Sequence, residues 1–264
     1  MDLEILCEDV ISLVKEVGEF IKDERKKFSS ESIQVKGKHD FVTYVDTGAE
    51  KMLVEGLAKI LPSSGFIAEE GTGSSNNNTY NWVIDPIDGT TNFIHGSQPY
   101  AISVALMENK DVILGVVYEI VNSECFYSCK NSDAFLNGQP IRVSNTPRVS
   151  DSLIATGFPY SSFDRLSSFM KSLEYFFTQT HGVRRLGSAA TDLAYVACGR
   201  YDAFYEYNLN AWDVAAGAFI VKQAGGIVGD FKGDGNYIFG KEIVASNNLI
   251  FNEFQKLVDQ LMNE

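Results

Sequence analysis

Residues Trp82-Val83-Ile84-Asp85-Pro86-Ile87-Asp88-Gly89-Thr90-Thr91-Asn92 constrain this chain more than any other stretch. The apolar run Trp82-Val83-Ile84 reads as a buried strand that delivers Asp85 at its end. Pro86 lacks an N–H and fixes its own φ, so it is expected to break the strand there. In an unbroken strand, side chains three apart point to opposite faces. A turn at Pro86-Ile87 would let Asp85 and Asp88 converge on one site. Gly89-Thr90-Thr91 reads as the start of a short helix, whose first N–H groups lack intrahelical acceptors and can hold an anion. Two converging carboxylates beside an anion cradle are the parts of a metal-dependent phosphate site.

With 264 residues, 45% of them hydrophobic, the chain can bury a large core as one domain or two intimate halves. Its formal charge of −13, with no basic stripe, argues against nucleic acid as a partner. The same charge repels a phosphate substrate on average, so any phosphate site must be made attractive locally. No apolar run reaches membrane-spanning length, and Met1-Asp2-Leu3-Glu4 has no secretory character. Cys7, Cys125, Cys129 and Cys198 match no zinc spacing. They are expected to be reduced thiols in a cytoplasmic protein, where the Asn77-Asn78-Thr79 sequon is idle.

Leu3, Leu6, Val10, Leu13, Val14, Val17 and Ile21 recur at helical spacing and predict a helix over residues 2–28 that packs on the core. A polar, mobile loop is expected at residues 34–40, a helix at 44–61, a strand at Phe66-Ile67-Ala68 and a polar loop at 71–80. Strands dominate from 101 to 143, with hairpin signals at Glu108-Asn109-Lys110 and Asn137-Gly138. Helices are then expected near 161–180, 188–198, 211–224 and 249–263. Strands are expected near 152–156, 203–206, 226–230 and 242–246. The class is α/β, divided into an α+β half, 1–145, with most of the candidate ligands, and an α/β half, 146–264, with substrate-binding elements.

One pattern occurs three times: an apolar run ending abruptly in acid, at Ala68-Glu69, Ile84-Asp85 and Trp212-Asp213. Glu69, Asp85, Asp88 and Asp213 clustered in a cleft could not stay ionised without cations. Oxygen-only donors favour a hard ion, Mg²⁺ first, with Mn²⁺ or Ca²⁺ behind. Singly, each acid could equally cap a helix or pair with a lysine. His39, His95 and His181 are not spaced as ligands, no Gly-x-Ser-x-Gly elbow exists, and no side-chain nucleophile is evident.

Glu69-Glu70, then Asp85-Pro86-Ile87-Asp88-Gly89-Thr90-Thr91-Asn92, then Trp212-Asp213-Val214-Ala215-Ala216-Gly217 resemble the two signatures of the inositol monophosphatases. Gly187-Ser188-Ala189-Ala190 and Gln223-Ala224-Gly225-Gly226 fit the same pattern in the same order. The resemblance covers essentially the whole chain. It implies a layered αβαβα sandwich of the sugar phosphatase type, a lithium-sensitive phosphatase with two or three Mg²⁺ per subunit, and a homodimer. Carried over by position, it implies that Glu69 binds the first metal and orients water, and that Asp85 bridges two metals. Ile87 would contribute its carbonyl, Asp88 and Asp213 would complete the second metal site, and Gly89 and Thr90 amides would hold phosphate. Thr90 would position water, with Asp46 behind it; Asp46 reads equally as a helix N-terminal acid.

For the substrate, a small phosphorylated polyol or sugar, the resemblance implies Glu206 as a hydroxyl-binding carboxylate and Ala189 as a main-chain contact. Glu206 also reads as an exposed strand-end acid. Arg184 and Arg185 either reach a second phosphate or sit at a dimer interface, and Lys36 either nears the metals or is solvated. Phe158-Pro159-Tyr160 either rims the cleft or packs locally. Myo-inositol 1-phosphate is the first expected substrate. Fructose 1,6-bisphosphate, histidinol phosphate and 3′-phosphonucleotides are the alternatives within the superfamily. A regulatory binding protein that keeps the fold is the alternative of another class. Gly71-Thr72-Gly73 fails the dinucleotide fingerprint at its third glycine, and Asp230 to Gly235 reads as a turn, not a calcium loop.

Overall fold

A computed structural model of the chain describes residues 1–27, 33–37, 40–72, 78–159 and 163–263. His39, Asn77, Tyr160 and the expected helix start at 161–162 lie outside the described residues, as does the side chain of Lys36.

The 3.6-residue periodicity near the N-terminus becomes helix α1, Leu3–Lys27, whose Leu6, Val10, Val14, Val17 and Ile21 face inward. A hairpin of β1, Ile33–Gly37, and β2, Asp40–Thr43, follows. Strand thus stands at 34–37 and at 40, the described residues of the loop expected at 34–40. Helix α2, Tyr44–Ile60, starts from a capping box in which Thr43 and Asp46 satisfy each other's backbone N–H groups.

A seven-stranded sheet is built next: β3 Gly65–Ala68, β4 Tyr80–Asp88, β5 Ala101–Glu108, β6 Asp111–Glu119, β7 Glu124–Cys129, β8 Ala134–Leu136 and β9 Gln139–Ile141, in sequential order. β3 is parallel to β4, and the remaining pairs are antiparallel. Asn137 and Gly138 both take positive φ, 49° and 81°, as a two-residue hairpin requires. Helix α3, Thr90–His95, is inserted between β4 and β5.

A five-stranded sheet holds β10 Leu153–Thr156, β11 Gly182–Arg184, β12 Ala203–Tyr207, β13 Ile227–Gly229 and β14 Glu242–Ser246, in the order β11-β10-β12-β14-β13. Its helices are α4 Leu166–Gln179, α5 Ala189–Ala197, α6 Ala211–Gln223 and α7 Phe251–Asn263. The sequence reading missed β11, a three-residue edge strand.

Three apolar clusters stack these elements into the αβαβα order. α1 and α2 cover one face of the seven-stranded sheet through Trp82, Ile84, Ile102, Val104 and Leu106. Its other face, with Val83, Ala101 and Ala105, packs on α5 and α6, which also meet Phe204, Ile243 and Ala245 of the second sheet. α4 and α7 cover the outer face of that sheet around Phe169, Phe176, Tyr205 and Phe254. α6 is therefore apolar nearly all round, as a helix between two sheets must be.

Pro86 does not break β4. The strand runs on to Asp88, with Asp85 opposite Ser103 and Asp88 opposite Ala101. Three steps on β4 thus match two on β5, which is a β-bulge at the residue that has no N–H to give the ladder. Side-chain alternation is reversed across it. Val83 belongs to the inner cluster, but Ile87, which regular alternation would put on the same side, sits in the α1–α2 cluster.

Candidate functional site

The bulge brings Asp85 and Asp88 to one side of β4, and α6 adds a third acid. One carboxylate oxygen from each of Asp85, Asp88 and Asp213 lies within 4.8 Å of the others. They open into a cleft of about 310 Å³ that Glu69, Ile87, Gly89, Thr90, Ala189 and Glu206 also line. Asp46 stands behind Thr90 and does not line the cleft.

Each acid is placed by its own local device. Glu69 follows β3, whose Ala68 is opposite Ile84, and the Glu69 amide donates to the Ile84 carbonyl at 3.3 Å. Glu69 therefore emerges beside Asp85. The loop beyond it is held by Glu50, a fully buried residue of α2 whose carboxylate accepts from the Glu70 and Thr72 amides, both at 2.7 Å. Asp85 accepts from the Ile87 amide at 2.9 Å across the bulge. Asp88 accepts from the Ser188 hydroxyl at 2.7 Å and the Ala190 amide at 2.6 Å, at the start of α5. Asp213 is the third residue of α6 and accepts from the Asn210 amide at 2.6 Å in a capping box. Glu50 and Ser188 were missed as positioning residues. Their signals are a carboxylate on the apolar face of α2 and a serine at an N-cap.

Gly89 takes φ 101°, and a β-carbon there would stand 3.1 Å from the Gly187 and Pro99 carbonyls. The glycine lets α3 start directly behind the acids. The Thr90 hydroxyl lies 3.2 Å from Asp46 Oδ1 and 3.1 Å from the Ile87 carbonyl. Asp46 also accepts from the Thr43 amide at 2.9 Å and hydroxyl at 2.5 Å, so it caps α2 and contacts Thr90 at once. Asn92 ties α3 down by donating to the Pro99 and Leu186 carbonyls at 2.7 and 2.8 Å.

The electrostatics of the cluster call for positive charge. Burial, then Glu69, Asp88 and Asp213, push Asp85 well above the carboxylate range. Burial raises Asp88 to about 6 against the opposing hydrogen bonds from Ser188, Ala190 and Ala189 and the charge of Arg185. Burial and Asp88 raise Asp213 to about 7. Burial, then Asp192, Asp213 and Asp88, raise Glu206 strongly. Burial also raises Asp46. Donors that are all carboxylate oxygens, crowded and desolvated, fit a hard divalent cation.

The structure separates the two arginines. Arg185 lines the cleft, with its guanidinium 5.1 Å from the centre of the Phe158 ring; Arg184 is exposed and donates to the Val183 carbonyl at 3.1 Å. Phe158 and Pro159 do line the cleft. His95 and His181 are exposed and outside it, and the four cysteines are free thiols. Among the described residues no helix is long and apolar enough to cross a membrane.

Comparison with known proteins identifies the family. The chain is 40% identical over 242 residues to the Nus factor SuhB of Pseudomonas aeruginosa, covering 90% of this chain and 89% of that one. It is 41% identical over 228 residues to a fructose-1,6-bisphosphatase/inositol-1-monophosphatase of Thermotoga maritima, covering 86% of each. Its fold superposes on the crystal structure of the extragenic suppressor protein suhB from Bartonella henselae with a TM-score of 0.90 at 34% identity, over 96% of this chain and 98% of the other. The description of the inositol monophosphatase family matches residues 2–263, and on that match the chain belongs to that family.

Proposed function

We propose that this phosphatase hydrolyses myo-inositol 1-phosphate to inositol and inorganic phosphate, using Mg²⁺ held by Glu69, Asp85, Asp88, Asp213 and the Ile87 carbonyl. The observation that carries the reading is the composition of the cleft: the Asp85–Asp88–Asp213 cluster from the first sheet and α6, with Glu206 and Ala189 from the second half in the same cavity. Two or three cations per subunit are proposed, with Mn²⁺ able to replace Mg²⁺.

When bound, hard divalent cations make water nucleophilic near neutral pH and offset charge on the leaving oxygen. The residues of the chain do the positioning. Thr90 Oγ1 gives its one proton to Asp46 or to Ile87, and keeps lone pairs that accept from the attacking water. Glu69, on the same side of the cleft, orients that water. The Gly89 and Thr90 amides, at the start of α3, bind phosphate oxygens. Glu206 accepts from substrate hydroxyls, and the Ala189 main chain contacts the ring.

A homodimer is proposed from the apolar stripe that α4 leaves exposed, Leu166, Met170 and Phe177. A cytoplasmic setting is supported by the four free thiols. The similarity to a protein named fructose-1,6-bisphosphatase/inositol-1-monophosphatase makes fructose 1,6-bisphosphate the nearest rival substrate. The similarity to a protein named Nus factor favours a second reading, a regulatory binding role on the same fold.

A kcat/KM panel separates the readings: inositol 1-phosphate, fructose 1,6-bisphosphate, histidinol phosphate and 3′-phosphoadenosine 5′-phosphate, each with Mg²⁺ and with excess chelator. Inositol 1-phosphate is expected to rank first and to lose turnover with chelator. Phosphate release that survives chelation would sink the mechanism, and a different leading substrate would replace the specificity. Millimolar-scale lithium is expected to inhibit, and indifference to it would count against the proposed second metal site.

A further inference from the structure

β10 and β12 run parallel, with Ile154 opposite Ala203, Ala155 opposite Phe204 and Thr156 opposite Tyr205. The Thr156 hydroxyl donates to the Tyr205 carbonyl at 2.7 Å and pins the strand ends together. One further step of this register sets Gly157 beside Glu206, where β10 leaves the sheet for the cleft. Glu206 is 5% exposed, so its carboxyl has little freedom. It lies over Gly157: a β-carbon built on that glycine would clash with the carboxyl carbon and both carboxyl oxygens of Glu206. The backbone itself does not require glycine, because Gly157 is not in the left-handed region. The space that a side chain would fill at 157 is filled by the Glu206 carboxyl.

The geometry points to Gly157 as a specificity-determining position, which seats the Glu206 carboxyl at the place in the cleft where substrate hydroxyls are bound. This rests on the reading of Glu206 as the hydroxyl acceptor. Gly157 acts through Glu206 and is a positioning residue. A β-carbon at 157 must displace the carboxyl, and the cleft that Glu206 lines is open space beside it. The hydrogen bonds to a polyol are then lost, and the ring must share its volume with the carboxyl. An aryl phosphate has no hydroxyls to present and loses no such bond.

The test uses the Mg²⁺-loaded protein and the ratio of kcat/KM for inositol 1-phosphate to that for p-nitrophenyl phosphate. It is measured for the parent, Gly157→Ala, Glu206→Gln and the double variant Gly157→Ala/Glu206→Asp. General destabilisation lowers both substrates together and leaves the ratio unmoved. Gly157→Ala is expected to lower the ratio about ten- to hundredfold, as for one hydrogen bond to a charged group, chiefly through KM. The double variant, with a carboxylate one methylene shorter, is expected to recover part of it. An unchanged ratio in Gly157→Ala beside a lowered one in Glu206→Gln overturns the role of Gly157 and keeps that of Glu206. An unchanged ratio in Glu206→Gln overturns the reading of Glu206, and the role of Gly157 with it. If Gly157→Ala fails to fold while the double variant folds, the carboxyl is the occupant and the ratio is read on the double variant: a ratio below the parent's supports the inference, and a parental ratio overturns it. If both fail to fold, it falls.

Discussion

Ser103 donates its hydroxyl to the Trp212 carbonyl at 2.9 Å, and Ser103 is also the residue opposite Asp85 on the neighbouring strand. One bond therefore joins the strand beside Asp85 to the first turn of the helix that carries Asp213. A serine that carries no charge thus ties together the elements that carry two acids far apart in sequence.

Ser103→Ala should test that coupling. Loss of one partly buried hydrogen bond costs about 1 kcal/mol of stability. The more telling effect is on cation affinity, expected to weaken about tenfold, as when a group that orients a ligand is removed. Thermal melts and a Mg²⁺ titration measure the two separately. Unchanged Mg²⁺ affinity would mean that α6 is held in place by other contacts.

Asp88→Asn should abolish turnover, lowering kcat by at least about a hundredfold, because one ligand charge is gone. The fold should survive, since the amide oxygen still accepts from the Ser188 hydroxyl and the Ala190 amide. Circular dichroism and kcat on inositol 1-phosphate check the pair of outcomes. Near-normal kcat would remove Asp88 from the metal site.

Metal-free stability should fall as pH rises. Asp88 is raised from 3.8 to about 6 and Asp213 from 3.8 to about 7, both chiefly by burial. For a folded-state value above the unfolded one, the stabilising contribution is complete below the unfolded value and is lost as pH climbs through the folded one. The window is therefore about pH 4 to 7, with a slope of up to about 1.4 kcal/mol per pH unit for each group. Saturating Mg²⁺ should reverse the loss. Melting temperatures in chelator and in Mg²⁺ across that range decide it; a metal-free Tm that climbs from pH 4 to 7 contradicts the proposed origin.

Glu50→Gln should loosen the first metal ligand without touching it. The carboxylate accepts from two amides, and an amide side chain offers one acceptor and sets an NH₂ against the other donor. The cost is about 1–3 kcal/mol of stability, with Mg²⁺ binding weakened about tenfold through Glu69. A melt and a calorimetric Mg²⁺ titration give both numbers. A destabilised variant with parental Mg²⁺ affinity would confine Glu50 to a structural role.

The long helices were legible because each shows its apolar face at helical spacing, as Val10, Val14, Val17 and Ile21 do in α1. The acids were legible because Asp85-Pro86-Ile87-Asp88-Gly89 packs several unusual requirements into a few positions. The β1–β2 pair was not, since its strands are short and the Ile33-Gln34-Val35-Lys36 alternation spans only four residues. Edge strand β11, with three residues, is below the length at which period two can be told from chance. Proline after Asp85 signalled an interruption, but a turn and a bulge are both ways to lose one ladder bond, and only the pairing with Ser103 and Ala101 separates them. Glu50 and Gly157 act through partners distant in sequence, so nothing beside them marks their roles.

The bulge on β4 makes the character of the cleft a matter of phase. Were β4 to keep all its residues but run in strict alternation, Asp85 and Asp88, three steps apart, would point to opposite faces. The position of Asp88 would then turn toward α1 and α2, into a layer built of Trp82, Ile84 and Val104. A carboxylate there would be buried among apolar groups, and the cleft would lose a third of its carboxylate cluster. The chemistry of this protein depends on one uncounted residue in a strand, and a shift of register there would cost both the fold and the site.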